Sequence, residues 1–299
     1  MNKRAETSSW QADMRRRLLP LGQEDLLEIG RKNNDRVHGL LPPHIHSGGE
    51  LEIIYVDKGV RNYIVGGQKY EAHGGEVLVV RPGDTHQTAW PFFPTRLYWI
   101  KLRLPRGGHA FLNLRGKPAK ALVAALRRIR PQHFLGSPAI KPLLDRIIAL
   151  YLQKPSAPAT PAILCILILE FLLIVIDCAA KRKDRHATDS WTQKIISFVE
   201  DHLHSPIHVK DMAEHMTMSL PGFKLRFDRQ FGVAPAKYVA YRKISVAKDL
   251  LAGKLHMPVT RIAIDLGFAS SQHFATVFHR ICGDTPGSYR RKSISSAKS

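Results

Sequence analysis

Two histidines separated by one residue, His44 and His46, stand shortly before Glu52, and a third, His86, follows Arg81-Pro82-Gly83. Three imidazoles and a carboxylate make a donor set that suits iron, manganese, nickel or zinc. The same groups can instead hydrogen-bond a small molecule held among aromatic side chains. Both uses require separate segments to converge. Alternate residues of a strand share a face, so His44 and His46 can point inward together if a barrel carries them. Glu50 is an alternative to Glu52, because the spacing after His46 does not choose between them. A small polar molecule and a transition metal are the two occupants these residues allow, with no fixed cofactor expected. Tyr55, Tyr63, Trp90 and Trp99 are candidates to line the site.

The surrounding pattern supplies such a scaffold. From Gly39 to about Leu104, short β-rich runs alternate with Gly and Pro, and strands are expected at Leu51–Val56, Arg61–Val65, Lys69–Ala72, Val77–Val80 and Tyr98–Leu104. Gly66-Gly67 suits a two-residue hairpin turn, since both residues accept positive φ. Short strands at this spacing predict an antiparallel barrel or jelly roll. Between Lys117 and Lys183 the periodicity becomes helical, predicting helices at Pro118–Ile129, Ser137–Leu152 and Pro161–Ala180. The charged stretch Lys181 to Arg185 reads as a linker. The division expected is residues 1–110 as a β-rich domain, 111–188 as helical linker and dimerisation region, and 189–295 as a separate helical domain.

Composition narrows the partners. The chain has 299 residues, 44% hydrophobic and 23% charged, which is globular and long enough for more than one core. Its net charge of +20 favours a polyanion. The excess lies on both sides of residue 189, with 29 Lys+Arg against 16 Asp+Glu before it and 16 against 9 from it onward. Cys165, Cys178 and Cys282 have neither disulfide-framework nor zinc spacing, and a reducing compartment fits them. No secretory signal is visible in Met1 to Arg17, so the cytoplasm is expected. Ala162 to Ala180 approaches membrane-spanning length, but Glu170 near its centre and Asp177 argue for a packed helix and against a membrane. No nucleophilic triad, Walker loop or dinucleotide fingerprint points to an enzyme.

The most informative pattern is a weak repeat after Ser190. Gly232, Pro235 and Tyr238 recur as Gly283, Pro286 and Tyr289, Phe223 and Phe227 as Phe274 and Phe278, and Val209 and Ala213 as Val259 and Ala263. The offset is 50 residues on the first helix of each unit and 51 on the second, so one turn is longer by one residue. Phenylalanines four apart face one core, the small alanines allow a second helix to cross closely, and Gly267 suits a turn with positive φ. Each unit therefore reads as helix, tight turn, helix, although an ordinary helical bundle would show the same pattern.

The stretch RIAIDLGFASSQHFATVFHRICGDTPGSYRR, Arg261 to Arg291, closely resembles the second helix-turn-helix signature of AraC/XylS-family regulators, and Val209 to Leu251 resembles the first. The front half resembles the two cupin motifs, Gly39 to Gly59 covering one and Gly75 to His86 the other. The resemblance implies an α+β multidomain protein with an amino-terminal cupin-like β-barrel, a helical linker and an all-α tandem helix-turn-helix domain. It also implies an effector-responsive transcription regulator, an activator or a repressor, that binds double-stranded DNA as a homodimer and has RNA polymerase as a further partner.

Carried residue by residue, the base-facing positions are Pro221, Lys224 and Leu225 on the first recognition helix, and Ser271, Gln272 and Thr276 on the second. Gln272 can pair bidentately with adenine and Lys224 can donate to guanine, whereas Pro221 and Leu225 offer no side-chain hydrogen bond. Arg226 is assigned to the DNA-binding set as a phosphate contact, with Lys210, Arg229, Arg242, His273 and Arg280 as further candidates. The competing reading is a metal-dependent cupin enzyme with a helical accessory domain.

Overall fold

The computed structural model describes residues 11–12, 25–34, 42–46, 48–90, 93–107, 110–152, 160–181, 190–253 and 257–297. Gly39, most of the expected Lys181 to Arg185 linker and nearly all of the amino-terminal segment lie outside these residues. Two compact units account for the chain. One comprises Met1–Ala89 and Pro94–Thr188, and the other Trp90–Phe93 and Asp189–Ser299.

The first unit is built on antiparallel strands β1 (Gln11–Ala12), β2 (Leu26–Asn34), β3 (His44–Ile45), β4 (Glu50–Val65), β5 (Gln68–His73), β6 (Glu76–Val80), β7 (Thr85–Thr88), β8 (Thr95–Arg103), β9 (Ala110–Phe111), β10 (Leu114–Arg115) and β11 (His133–Leu135). The main sheet runs β1-β2-β8-β4-β6-β11, while β3, β7 and β5 join through the far half of β4. The two strands expected at Leu51–Val56 and Arg61–Val65 are one strand of 16 residues, which is a correction. Its first half pairs with β6 and β8, and its second half with β5 and β7. The register slips between Val56 and Lys58, and this bulge turns the strand from one sheet into the other. Gly59 has φ +94°, and a Cβ there would lie 2.2 Å from the Pro94 carbonyl oxygen, so a glycine is required where the strand bends.

Alternation along β4 divides two cores. Leu51, Ile53 and Tyr55 face outward and pack with Val77, Val79, Ile100 and Leu102 against the helices α1 (Gly116–Arg127), α2 (Ile140–Leu152) and α3 (Thr160–Ala180). Ile54 faces the other way, into a smaller cluster with Tyr63, Val65, Leu78, Val80 and Leu97. The helical segment within residues 111–188 thus shares a core with the sheet. α3 is long and apolar enough to cross a membrane by length and composition. One side of it, including Ile168, Phe171, Leu172 and Val175, is packed into that core.

The second unit contains α4 (Ser190–Asp201), α5 (Val209–His215), α6 (Leu220–Phe231), α7 (Pro235–Gly253), α8 (Val259–Asp265), α9 (Ser271–Cys282) and α10 (Pro286–Ala297). The repeated phenylalanines form its core. Phe223, Phe227 and Phe231 surround Trp191 and Tyr238, and Phe274 and Phe278 meet Phe268 and Tyr289. Ala213 and Ala263 are buried, as close helix crossings require.

Candidate DNA interface and sensor cluster

The helices α6 and α9 begin and end with the same chemistry. Ser219 accepts a hydrogen bond from the Gly222 amide and Ser270 from the His273 amide, satisfying first-turn donors. Gly232 (φ +70°) and Gly283 (φ +73°) terminate the helices in the left-handed conformation. The two turns are also equivalent up to a defined point. Thr217 donates to Glu214 and Met218 to Ala213, just as Gly267 donates to Ile264 and Phe268 to Ala263. The caps Ser219 and Ser270 are then offset by 51 residues, so the additional residue in the second turn falls between Phe268 and Ser270.

Apolar anchoring on one side leaves the other side exposed. Pro221, Lys224, Leu225 and Arg226 are exposed on α6, and Ser271, Gln272 and Thr276 on α9. Leu225 is 66% exposed, an uncovered apolar side chain of the kind that can meet a thymine methyl group. The Thr276 hydroxyl donates to the Gln272 carbonyl within its own helix, which leaves its methyl and an acceptor lone pair facing outward. Arg226 lies with its guanidinium 4.5 Å from the Trp191 ring, which restricts it to one side of the helix. Arg242 is engaged by Glu200 at 2.6 Å, and Lys210 stands 3.5 Å from Glu214, so both are less free than the sequence suggests.

A buried lysine fixes the second unit internally. Lys243 donates to the Ser205 carbonyl at 2.7 Å, its ammonium 5.6 Å from the Phe268 ring centre. Burial lowers its pKa below the ordinary lysine value. His204 Nδ1 lies 2.9 Å from the Asp265 carbonyl oxygen. The loop between α4 and α5 is thereby tied to the turn of the second helix-turn-helix.

In the first unit, β3 and β7 place His44 opposite His86, and the three histidines gather with ring centres 4.0 to 5.1 Å apart. One ligating nitrogen from each lies within 4.8 Å of the others. Glu52 closes the set: its Oε2 accepts from His46 Nε2 at 2.9 Å and from His86 Nε2 at 3.1 Å. Burial would raise the Glu52 pKa, but those bonds outweigh it and hold the carboxyl near about 2. Glu50, the alternative, is 3.8 Å from His46 Nδ1 and is shared with Arg103. Of the aromatic candidates, Tyr63 and Trp99 belong with the inner cluster. Tyr55 and Trp90 do not, which is a correction: Tyr55 faces the helices, and Trp90 groups with the second unit, where Lys248 Nζ lies 3.5 Å from its ring centre.

The histidines fit a transition metal on two observations. His44 Nδ1 is 3.0 Å from the Pro42 carbonyl oxygen, an anchor that leaves Nε2 as the ligating atom. His86 Nδ1 is buried without a hydrogen-bond partner. The same atoms are equally suited to a polar small molecule.

Another ionic cluster gave no sequence signal. Glu76 Oε2 accepts from the His73 amide at 2.7 Å and from His133 Nε2 at 2.7 Å, and His73 Nε2 stands 3.2 Å from Glu71. Burial alone would lower the His73 pKa, but Glu71 and Glu76 raise it to about 9. Burial alone would raise that of Glu76, but His133 and His73 bring it down to about 2. The partner strand β11 lies more than fifty residues away in sequence, so only the folded sheet unites the set.

A β-rich, helix-backed domain joined in one chain to two Ser-capped helix-turn-helix units defines a two-domain regulator with a ligand-binding front and a DNA-binding back. Residues 212–292 match the family described as "Helix-turn-helix domain", and residues 27–172 match "AraC-like ligand binding domain". The chain belongs to the AraC family of transcription regulators, which are DNA-binding proteins and not enzymes. It is 25% identical over 254 residues to the HTH-type transcriptional activator RhaS of Salmonella typhimurium, covering 84% of this chain and 87% of that protein. It is 26% identical over 241 residues to RhaS of Klebsiella pneumoniae, covering 80% and 84%. Among solved structures, ToxT of Vibrio cholerae aligns over 89% of this chain and 98% of its own at 13% identity and a TM-score of 0.33. An AraC-type regulator from Chromobacterium violaceum aligns over 34% and 91%, at 22% identity and a TM-score of 0.33.

Proposed function

We propose that this regulator reads DNA through Lys224, Leu225 and Pro221 on α6 and through Ser271, Gln272 and Thr276 on α9, with Arg226 on phosphate. The observation that carries the reading is the paired construction of α6 and α9, each capped by serine, anchored by phenylalanines and exposed along its polar side. Gln272→Ala is expected to weaken specific binding by about 1–3 kcal/mol and relax selectivity at one base pair, with little effect on random DNA. Equal loss on random DNA, in gel shifts at fixed salt, would remove Gln272 from the base-reading set. The functional division is sensor in 1–110, helical dimerisation region in 111–188 and DNA-binding domain in 189–295. RhaS is an activator, and activation with contact to RNA polymerase in the cytoplasm is the role inferred by that likeness.

The cluster of His44, His46, Glu52 and His86 is the effector site in this reading. A metal is the second reading, favoured by the anchored His44 and the unpartnered His86 Nδ1. The three histidines with Glu52 would hold it, and it would supply a Lewis-acid centre for an oxygen atom of the effector. Purified protein is then expected to retain near-stoichiometric transition metal that the His44→Ala, His46→Ala double variant loses. Protein free of metal that still binds DNA and responds to effector would leave the hydrogen-bonding role alone.

Homodimerisation is assigned to the uncovered side of α3. Ile163, Ile166 and Leu173 are 38%, 61% and 59% exposed, and their three- and seven-residue spacing puts them on one side of the helix. A second copy offers the same side, which a twofold interface needs. Leu169 is partly buried against its own core, so it is a poor position for a test. Ile166→Lys with Leu173→Lys is expected to convert a dimer to a monomer at micromolar concentration. A wild type that sediments as a monomer, or a double variant that stays dimeric, contradicts this role.

A further inference from the structure

Between Thr85 and Leu144, sixty residues contain no carboxylate and eleven Lys and Arg residues. The structure sorts these cations into two groups. Arg96 pairs with Asp57, Lys101 with Glu28, Arg103 with Glu50 and Lys141 with Asp145. Arg106, Arg115, Lys117, Lys120, Arg127, Arg128 and Arg130 are all exposed, and none has an acidic partner among the described residues. Three of the seven, Lys117, Lys120 and Arg127, lie on α1, opposite its buried side of Ala119, Leu122, Val123 and Leu126. Between them on the outer side stand Ala121 and Ala124, too short to hold an approaching surface away. Arg127 additionally donates to the Pro105 carbonyl at 3.0 Å, which brings it beside the segment carrying Arg106.

Leaving Lys117, Lys120, Arg127 and Arg128 without acidic partners on and at the end of one helix costs mutual repulsion, since like charges at neighbouring helical positions destabilise each other. A polyanion relieves that repulsion and gains the entropy of released counterions. We propose that the outer side of α1, with Arg115, Arg128 and Arg130 at its ends, is a second contact for double-stranded DNA, engaging phosphates without reading bases. The inference rests on the DNA-binding reading, because the helix-turn-helix domain of the same chain supplies the primary contact to this polyanion. A helix of twelve residues extends about 18 Å, enough to meet successive phosphates along one strand.

The test uses the full chain and a random-sequence duplex of about 60 base pairs, long enough to reach beyond the reading helices. Lys117→Gln with Lys120→Gln, and Arg127→Gln with Arg128→Gln, are each expected to reduce the slope of log affinity against log salt by about 1–2. Lys32→Gln with Lys69→Gln, which removes two exposed cations elsewhere on the same unit, is expected to leave it unchanged. Acetylation of the wild type supplies a readout that needs no variant: the duplex should slow modification of Lys117 and Lys120 several-fold, and not that of Lys32 and Lys69. Unchanged slopes and unprotected lysines, with the wild type still binding the duplex, overturn the proposal while the DNA-binding reading stands. Failure of the wild type to bind any duplex overturns that reading itself. Protection of Lys117 and Lys120 by anionic phosphatidylglycerol vesicles and not by DNA would assign the helix to a lipid surface and also overturn the proposal.

Discussion

Gly267→Ala is expected to destabilise the DNA-binding unit by about 2–5 kcal/mol and to remove specific binding at growth temperature. Gly267 sits at φ +61°, and an added Cβ would lie 2.4 Å from the Ser205 carbonyl carbon and 2.8 Å from the Pro206 nitrogen. The backbone conformation alone costs a non-glycine residue about 1–2 kcal/mol, and forcing close-packed neighbours apart costs typically about 1–3 kcal/mol more. The loop cannot easily retreat, because Lys243 holds the Ser205 carbonyl and His204 is bonded to the Asp265 carbonyl. The matching position of the first unit offers a control. Thr217 occupies the same left-handed conformation at φ +54°, so Thr217→Gly is expected to be neutral or stabilising. Urea unfolding monitored by tryptophan fluorescence checks both. A Gly267→Ala variant within about 0.5 kcal/mol of wild type, the range of ordinary surface changes, would mean that the turn is not constrained as described.

The second large effect is expected from Glu76→Ala in the sensor unit. Glu76 is fully buried and serves the His73 amide and His133 Nε2. Removing one partner from a buried ionic set costs about 3–5 kcal/mol, because the remaining groups keep their burial and lose their compensation. The pH dependence follows from the directions of the two shifts. Glu76 is depressed from 4.5 to about 2, so its contribution is present above pH 4.5 and is lost as pH falls towards 2. His73 is raised from 6.5 to about 9, so its contribution is complete below pH 6.5 and is lost as pH rises through 9. The difference in unfolding temperature between wild type and Glu76→Ala should therefore be greatest between about pH 4.5 and 6.5 and shrink on both sides. A difference that stays constant from pH 3 to 9, within about a degree, would show that the charges of this cluster do not contribute.

The contrast between these two sites explains what the sequence made legible. The helix-turn-helix units announce themselves locally: Ser219 and Ser270 as caps, Gly232 and Gly283 as terminators, and phenylalanines at helical spacing all act within one or two turns of chain. Gly267 was readable for the same reason, although the backbone it touches at Ser205 was not. His44, His46 and Glu52 were readable as a set because they are close in sequence. β7, which delivers His86, is a polar four-residue strand without an apolar alternation. The long strand β4 reads as two in the sequence because Asp57, Lys58 and Gly59 have the composition of a turn, whereas pairing with β8 carries the chain through them as a bulge. Glu76 lies among apolar residues in a fully buried strand, and its partner His133 arrives from beyond α1, so no local pattern joins them. Long-range pairing supplied what spacing could not.

Selection of bound sequences from a random pool of duplexes by the purified full chain tests the central claim most directly. The account predicts enrichment of one motif made of two recognition segments about one helical turn apart, the spacing of successive major-groove faces. Gln272→Ala should lose selectivity at one position within the segment contacted by α9 while the rest of the motif persists. Recovery of the input distribution, with salt-dependent binding of all duplexes alike, would contradict sequence-specific recognition by α6 and α9.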